Sequence, residues 1–224
     1  MTPRFEILVA TQNPGKIHEV DEALQSLPVT LRHLNEFRVV TVDEVGKTYE
    51  ENAALKAMGY ASQTRLCALA DDSGLEVDAL DGEPGVLSAR YAGELATDGD
   101  RISKLLSTLA KQKDRGRNAR FVCCMALAGW ELRDGLRDAR IDAEQPQLLT
   151  VVQASCEGTI TFQARGTNGF GFDPIFQPAG YAQTFAELSS EVKASISHRA
   201  QALIGIRKFL DSWLSQLDRS GVRP

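Results

Sequence analysis

Cysteine is scarce in this chain, and its arrangement offers no metal site. The four cysteines form no CxxC pair, and no histidine stands at zinc-finger spacing from them. Zinc sites of that kind need closely spaced thiolate and imidazole ligands. A metal–thiolate centre is therefore not expected, and the cysteines are interpreted as reduced, buried thiols.

Long apolar runs are missing as well. No stretch approaches the roughly 20 apolar residues of a membrane span, and residues 1–10 lack the basic start and cleavage site of a secretory signal. The 224 residues, 43% of them hydrophobic, suffice for one sizeable core, and no repeat or low-complexity linker divides them. We expect a soluble cytosolic protein without membrane contacts, with a single domain over residues 1–217 and a frayed tail over residues 218–224.

A surplus of positive charge is absent too. The 25 Lys and Arg residues stand against 30 Asp and Glu residues, which gives a formal net charge of -5. Proteins that bind nucleic acids broadly carry an excess of basic residues on one face. A nucleic-acid partner is therefore not expected, whereas a small phosphate ligand would need only local positive charge.

The spacing of apolar residues predicts an α/β protein with a mixed sheet. Helices are expected over residues 15–27, 48–62 and 197–217, and a further one is marked by Ile102, Leu105, Leu106 and Leu109. Short strands are expected over residues 5–10, 66–70, 75–80, 121–128, 148–156 and 159–165. Glu157-Gly158 would join the last two strands as a hairpin, and residues 133–147 are interpreted as a variable loop.

Two polar segments stand at predicted element ends in the first half of the chain. In TQNPGK (residues 11–16) a strand feeds a helix, so backbone N–H groups and Lys16 could face a phosphate, although the segment lacks P-loop spacing. Asp71-Asp72 follows a strand, where one carboxylate could face a cleft while the other caps a turn. A plain connection and a plain turn are the alternatives. The upstream acids that could complete an oxygen-ligand site for Mg²⁺ are Asp43, Glu44 and Glu51.

Two further segments lie in the second half. GTNGFGFDPIF (residues 166–176) combines glycines, which permit close backbone approach, with Phe170 and Phe172, which could stack on a flat ring. SISHR (residues 195–199) opens the last helix and, with Lys193, gathers potential hydrogen-bond donors. A glycine-rich hairpin exit and a helix cap with solvated charges are the alternatives. Together the four segments favour a nucleotide site.

Six motifs in one order resemble the inosine triphosphate pyrophosphatase family, the house-cleaning dITP/XTP pyrophosphatases. They are ATQNPGK (10–16), TYEENAALKA (48–57), ALADDSGLEVDAL (68–80), PGVLSARYAG (84–93), GTNGFGFDPIF (166–176) and KASISHRAQAL (193–203). The resemblance runs nearly end to end, and it is far more specific than any single motif. It implies the α/β, ITPase-like fold, in which an elongated mixed sheet carries two lobes that flank a substrate cleft, and a homodimer as the usual assembly.

The resemblance also implies roles for individual residues. Asp72 would be the general base and a metal ligand, with Asp43 as the second metal-site acid or Glu44 if the reading is shifted by one. Mg²⁺ is the expected ion, with Mn²⁺ as the alternative. Phe172 stands where a Tyr is frequent, so a hydroxyl hydrogen bond is lost while stacking would survive. The implied substrate contacts are Thr11, Gln12, Asn13, Pro14, Gly15, Lys16, Lys56, Ser73, Phe170, Gly171, Phe172, Asp173, Lys193, His198 and Arg199.

The implied reaction hydrolyses ITP, dITP and XTP to the monophosphate and pyrophosphate, which cleanses the nucleotide pool. Water would attack the α-phosphorus while the metal and cationic side chains neutralise the phosphate oxygens. Two alternatives are kept. A pyrophosphatase of modified pyrimidine triphosphates is disfavoured by HRAQ (198–201) and SGLEVDAL (73–80), and a non-catalytic nucleotide-binding sensor by the intact acidic pair.

Overall fold

The computed structural model describes residues 5–112, 115–130 and 145–220. The strands in these residues are β1 (Phe5–Val9), β2 (Val29–His33), β3 (Cys67–Val77), β4 (Asn118–Gly129), β5 (Gln147–Ile160) and β6 (Phe176–Pro178). The α-helices are α1 (Pro14–Leu24), α2 (Tyr49–Thr64), α3 (Asp98–Leu109), α4 (Ser190–Ile196) and α5 (His198–Ser220). No helix in the described ranges is long and apolar enough to cross a membrane.

The six strands form one sheet in the order β2-β1-β3-β4-β5-β6. β1 runs parallel to β2 and to β3, with Phe5 opposite Val29 and Ile7 opposite Cys67. β5 and β6 run antiparallel, with Gly158 opposite Pro178. Because both kinds of pairing occur, the predicted α/β class with a mixed sheet is confirmed.

Contacts along the chain group into two compact units, each assembled from separate segments. The first unit holds the chain up to Asp72, Cys124–Gln153 and the chain from Ala202 onward. The second unit holds Ser73–Cys123 and Ala154–Gln201. The single domain expected over residues 1–217 stays a prediction.

Two capped helices shape the first unit. Asn13 caps α1, and Thr48 and Glu51 form the predicted capping box of α2 by bonding each other's backbone N–H groups. α2 turns small residues inward, which lets the helix approach its neighbours closely. Those residues, all 0% exposed, are Ala53, Ala57 and Ala61.

Aromatic rings dominate the core of the second unit. Phe121 packs against two other rings, with centroids 4.7 Å from Phe176 and 5.9 Å from Phe185. α3 packs its apolar face into this core, as the sequence pattern predicted. The residues that α3 contributes are Ile102, Leu105 and Leu109.

The strands around Asp71 and Gly158 differ from the prediction. β3 runs unbroken through Asp71-Asp72, so the acids lie within a strand instead of at its end. β5 runs unbroken through Glu157-Gly158 and ends at Ile160, so the expected hairpin and the strand over residues 159–165 are wrong. A side chain at position 158 would overlap backbone and ring atoms of β6, so this glycine serves a close approach and not a turn.

The two ends of the last helical region also differ in detail. α4 precedes α5 and was not expected, and α5 continues to Ser220, three residues past the predicted boundary at 217. The interpretation of residues 133–144 as a variable loop, and that of residues 221–224 as a frayed tail, lie outside the described residues.

Candidate functional site

The junction between β1 and α1 forms a tight helix cap. Asn13 Oδ1 accepts hydrogen bonds from the N–H groups of Gly15 and Lys16, at 2.9 and 3.3 Å. Thr11 Oγ1 accepts from the Asn13 N–H group at 3.2 Å. The cap therefore already bonds two amides that were expected to face a phosphate. The exposed members of the segment are Gln12 and Pro14.

Lys16 is instead directed to the first acid of β3. Its Nζ lies 3.0 Å from Asp71 Oδ2, and the Asp71 side chain is only 5% exposed. Asp71 thus forms an ion pair with a lysine from the helix start, and it lies within a continuous strand instead of before a turn. Neighbouring strand residues point to opposite faces, and Asp72 contacts Asn52 and Lys56.

Asp72 lies in a polar group that we call the Asp72 cluster, made of the buried residues Asn52, Lys56 and Asp72 and the half-buried Glu44. Asp72 Oδ2 accepts a hydrogen bond from Asn52 Nδ2 at 3.0 Å. Lys56 Nζ lies 3.7 Å from Asp72 Oδ1 and 3.0 Å from Glu44 Oε1. The lysine therefore bridges two carboxylates, and the amide fixes one oxygen of Asp72.

Helix α2 explains why these groups meet. Asn52 and Lys56 are four residues apart, so they lie on one helix face, the same face that carries the buried alanines. Asn52 is 0% exposed, and its Oδ1 accepts from the Gly46 N–H group at 2.8 Å. Sequence reasoning missed Asn52, although a polar residue one turn before Lys56 on an apolar stripe was the available signal.

The surroundings shift the pKa values of Asp72 and Lys56. Burial raises the pKa of Asp72, the Lys56 ammonium opposes this shift, and the Glu44 carboxylate adds to it. Burial acts to lower the pKa of Lys56, but the carboxylates of Asp71, Asp72 and Glu44 outweigh it and raise that pKa. Lys56 therefore stays an ammonium, while Asp72 is a more basic carboxylate than an exposed one.

The two candidate metal-site acids are placed differently. Asp43 is exposed, whereas Glu44 is half-buried and belongs to the Asp72 cluster. Among the residues that the structure describes, no three His, Cys, Asp or Glu side chains gather closely enough to hold a metal by themselves. Of the two candidate acids, Glu44 is the one that lies near the same Lys56 ammonium as Asp72.

A second polar group, the recognition cluster, lies in the second unit and comprises Phe170, Asp173, Lys193, His198 and Arg199. Asp173 Oδ2 accepts hydrogen bonds from Lys193 Nζ at 2.7 Å and from the Phe170 N–H group at 2.9 Å. The Lys193 ammonium lies 4.9 Å from the Phe170 ring centroid, and the Arg199 guanidinium 5.7 Å. Two cations therefore approach the one ring that the loop leaves partly exposed.

His198 and Arg199 are held firmly at the start of α5. The His198 ring stacks on Phe121, with centroids 4.7 Å apart and planes 9° apart, and is 4% exposed. Arg199 is 2% exposed and donates from Nη2 to Ser73 Oγ at 2.8 Å. Ser197 Oγ accepts from the Ala200 N–H group, so the predicted cap is present. The Arg199 guanidinium beside the cap is buried and not solvated.

The two phenylalanines of the glycine-rich loop have different surroundings. Phe172 is 3% exposed and belongs to the aromatic core, so the structure does not support the stacking role expected for it. The apolar surface of its ring is buried against other core residues. Phe170 is half-buried and is the ring of this pair that a base could reach, with Gly171 beside it.

Comparisons with known proteins agree on one family. The Ham1 family model matches residues 7–209. A dITP/XTP pyrophosphatase of Bacillus anthracis is 41% identical over 209 residues, covering 93% of this chain and 97% of the relative. A dITP/XTP pyrophosphatase of Syntrophobacter fumaroxidans is 44% identical over 212 residues, covering 94% and 84%. The solved structure of a HAM1 protein from Coxiella burnetii superposes with a TM-score of 0.80 at 42% identity, covering 93% of this chain and 99% of that one.

Proposed function

The chain belongs to the Ham1 family, and on that premise we propose that it hydrolyses ITP, dITP and XTP to the nucleoside monophosphate and pyrophosphate. The observation that carries this proposal is the Asp72 cluster, where a buried carboxylate of raised pKa sits beside a charged lysine and a second acid. Relatives named dITP/XTP pyrophosphatase support the same conclusion at 41% and 44% identity.

A divalent metal fits the donors of the Asp72 cluster. Mg²⁺ prefers oxygen ligands and is commonly held by one or two carboxylates together with substrate phosphates, the rest of its shell being water. Two carboxylates, those of Glu44 and Asp72, are what the cluster offers. We therefore assign the metal to Asp72 and Glu44 in place of Asp43, with Mg²⁺ as the preferred ion and Mn²⁺ as the alternative. When bound, the ion neutralises phosphate oxygens at the reacting phosphorus.

The other roles in the reaction are assigned to individual side chains. Asp72 accepts a proton from, or orients, the attacking water, because its raised pKa favours proton uptake. Asn52 fixes the Asp72 carboxylate, leaving its other oxygen towards Lys56. Lys56 and Lys16 balance the negative charge of the triphosphate. Pyrophosphate leaves, and no covalent enzyme intermediate is required.

Base recognition is assigned to the recognition cluster. Phe170 supplies a stacking face, and Lys193, His198 and Arg199 supply donors to the carbonyl that hypoxanthine and xanthine carry at the purine 6-position. Adenine presents an amino donor there, and a mismatched buried donor costs on the order of 1 to 3 kcal/mol. Ser73 orients Arg199 through its hydroxyl. The homodimer and the cytosolic location stay predictions.

Product analysis with purified protein and Mg²⁺ tests this function. ITP, dITP, XTP, GTP, ATP and dTTP are offered separately at equal concentration, and pyrophosphate is resolved from orthophosphate. We expect pyrophosphate and monophosphate from ITP, dITP and XTP, with at least about 10-fold slower turnover of ATP. Orthophosphate as the product, or equal cleavage of ATP, would contradict the proposal. The Asp72→Asn protein serves as the control for contaminating phosphatases.

A further inference from the structure

One hydrogen bond in the second unit joins the glycine-rich loop to a helix far away in sequence. Asp98 Oδ2 accepts from the Gly171 N–H group at 2.7 Å, across 73 residues. Asp98 is the first residue of α3, and Thr97 and Asp100 form the capping box of that helix without it. The carboxylate of Asp98 is therefore not needed for the capping box and accepts a hydrogen bond from the loop instead.

The loop has a second anchor on the neighbouring amide. Asp173 Oδ2 accepts from the Phe170 N–H group at 2.9 Å, while Asp98 takes the next N–H group. Both flanking glycines, Gly169 and Gly171, adopt left-handed backbone angles, with φ of +76° and +61°. Such a turn is open to several conformations in glycine, so the two carboxylates select one of them.

These anchors define where the Phe170 ring stands. The ring follows its own backbone, and that backbone is held at residue 170 by Asp173 and at residue 171 by Asp98. α3 is a firm support, because Ile102 and Leu105 bury it in the aromatic core. The ring is thereby kept beside Lys193 and Arg199, the cations assigned above as donors to the base.

We propose that Asp98 is a positioning residue for base recognition, which acts by holding the Gly171 amide and thus the Phe170 ring. The assignment rests on the proposed function, since it gives the loop its role in binding a purine. Asp98 also forms an ion pair with Arg101, one turn along α3. Arg101 therefore provides a matched control, because removing it breaks that ion pair and leaves the bond to Gly171 intact.

The test compares Asp98→Ala, Asp98→Asn and Arg101→Gln with the parent protein. Asparagine keeps an oxygen that can accept from the Gly171 N–H group, while alanine does not. We expect Asp98→Ala to raise KM for ITP about 10-fold with kcat within about 3-fold, and Asp98→Asn to restore most of the affinity. Arg101→Gln should keep KM within about 2-fold of the parent.

A second readout does not depend on turnover. Amide hydrogen exchange of the peptide that spans residues 166–176 should become faster in Asp98→Ala and stay near the parent rate in Asp98→Asn. Unchanged exchange in Asp98→Ala would overturn the anchoring, and faster exchange with an unchanged KM would overturn the role in recognition. An equal loss in Asp98→Ala and Arg101→Gln would overturn it as well. If the parent protein releases no pyrophosphate from ITP, the proposed function fails, while the exchange data still decide the anchoring.

Discussion

The Asp72 cluster and the recognition cluster differ in the charged groups that each brings together. Around Asp72, the carboxylates of Glu44 and Asp72 both lie near Lys56, so acidic groups predominate among the members of the cluster. Around Phe170, the cations of Lys193 and Arg199 both lie beside the ring, and Lys193 also pairs with the Asp173 carboxylate. The first arrangement suits a metal ion, and the second suits the acceptor edge of a base. Substitutions should therefore affect catalysis in one cluster and affinity in the other.

The largest effect is expected at Asp72. Asp72→Asn keeps the shape of the side chain but removes the proposed proton acceptor and metal ligand, so kcat should fall by about 100-fold or more. Steady-state kinetics with ITP and saturating Mg²⁺ measure it, and an unchanged melting temperature shows that the fold is kept. Turnover near that of the parent protein would remove Asp72 from the reaction.

A smaller effect should separate the two neighbouring acids. Glu44→Gln should raise the Mg²⁺ concentration needed for half-maximal activity about 10-fold, because it removes one of the two carboxylates of the cluster. Asp43→Asn is the matched control, since Asp43 is exposed, and it should leave the Mg²⁺ dependence unchanged. If Asp43→Asn changed the Mg²⁺ dependence and Glu44→Gln did not, Asp43 would be the metal ligand.

A substitution at Lys193 should affect substrate binding by the recognition cluster and leave catalysis nearly unchanged. Lys193→Ala removes a donor and the ammonium that approaches the Phe170 ring, so KM for ITP should rise about 10-fold with little change in kcat. The variant also leaves the buried Asp173 carboxylate without this partner, so its melting temperature must be recorded alongside the kinetics. A KM equal to that of the parent protein would exclude Lys193 from substrate binding.

The smallest kinetic effect is expected at Phe170. The neighbouring Phe172 provides the comparison. Phe170→Ala should raise KM about 5-fold, at the low end for the loss of base stacking, with little loss of stability. Phe172→Ala should instead lower the free energy of unfolding by about 3 kcal/mol, because Phe172 is packed in the aromatic core. Chemical denaturation and ITP kinetics on both variants provide the comparison. A purely kinetic defect in Phe172→Ala would mean that its ring reaches the base.

Much of the fold followed from local sequence signals. The caps at Asn13 and Thr48 and the apolar stripe of α3 all form where the pattern predicted them. Such signals act within one or two helical turns, so a single sequence contains them. β3 and β5 were predicted as broken strands because Asp-Asp and Glu-Gly are typical of turns. The strands continue because partners distant in sequence stabilise those residues.

The sequence by itself determined the residue types of the chemistry: an acidic pair, a glycine-rich loop with phenylalanines, and cations at a helix start. Only the tertiary structure decided which of them work together. It joined Glu44 to Lys56 and left Asp43 exposed, it buried Phe172 and left Phe170 within reach, and it brought Asn52 to Asp72. The physical reason is that burial and hydrogen-bond partners arise from contacts across many residues, which no local pattern encodes.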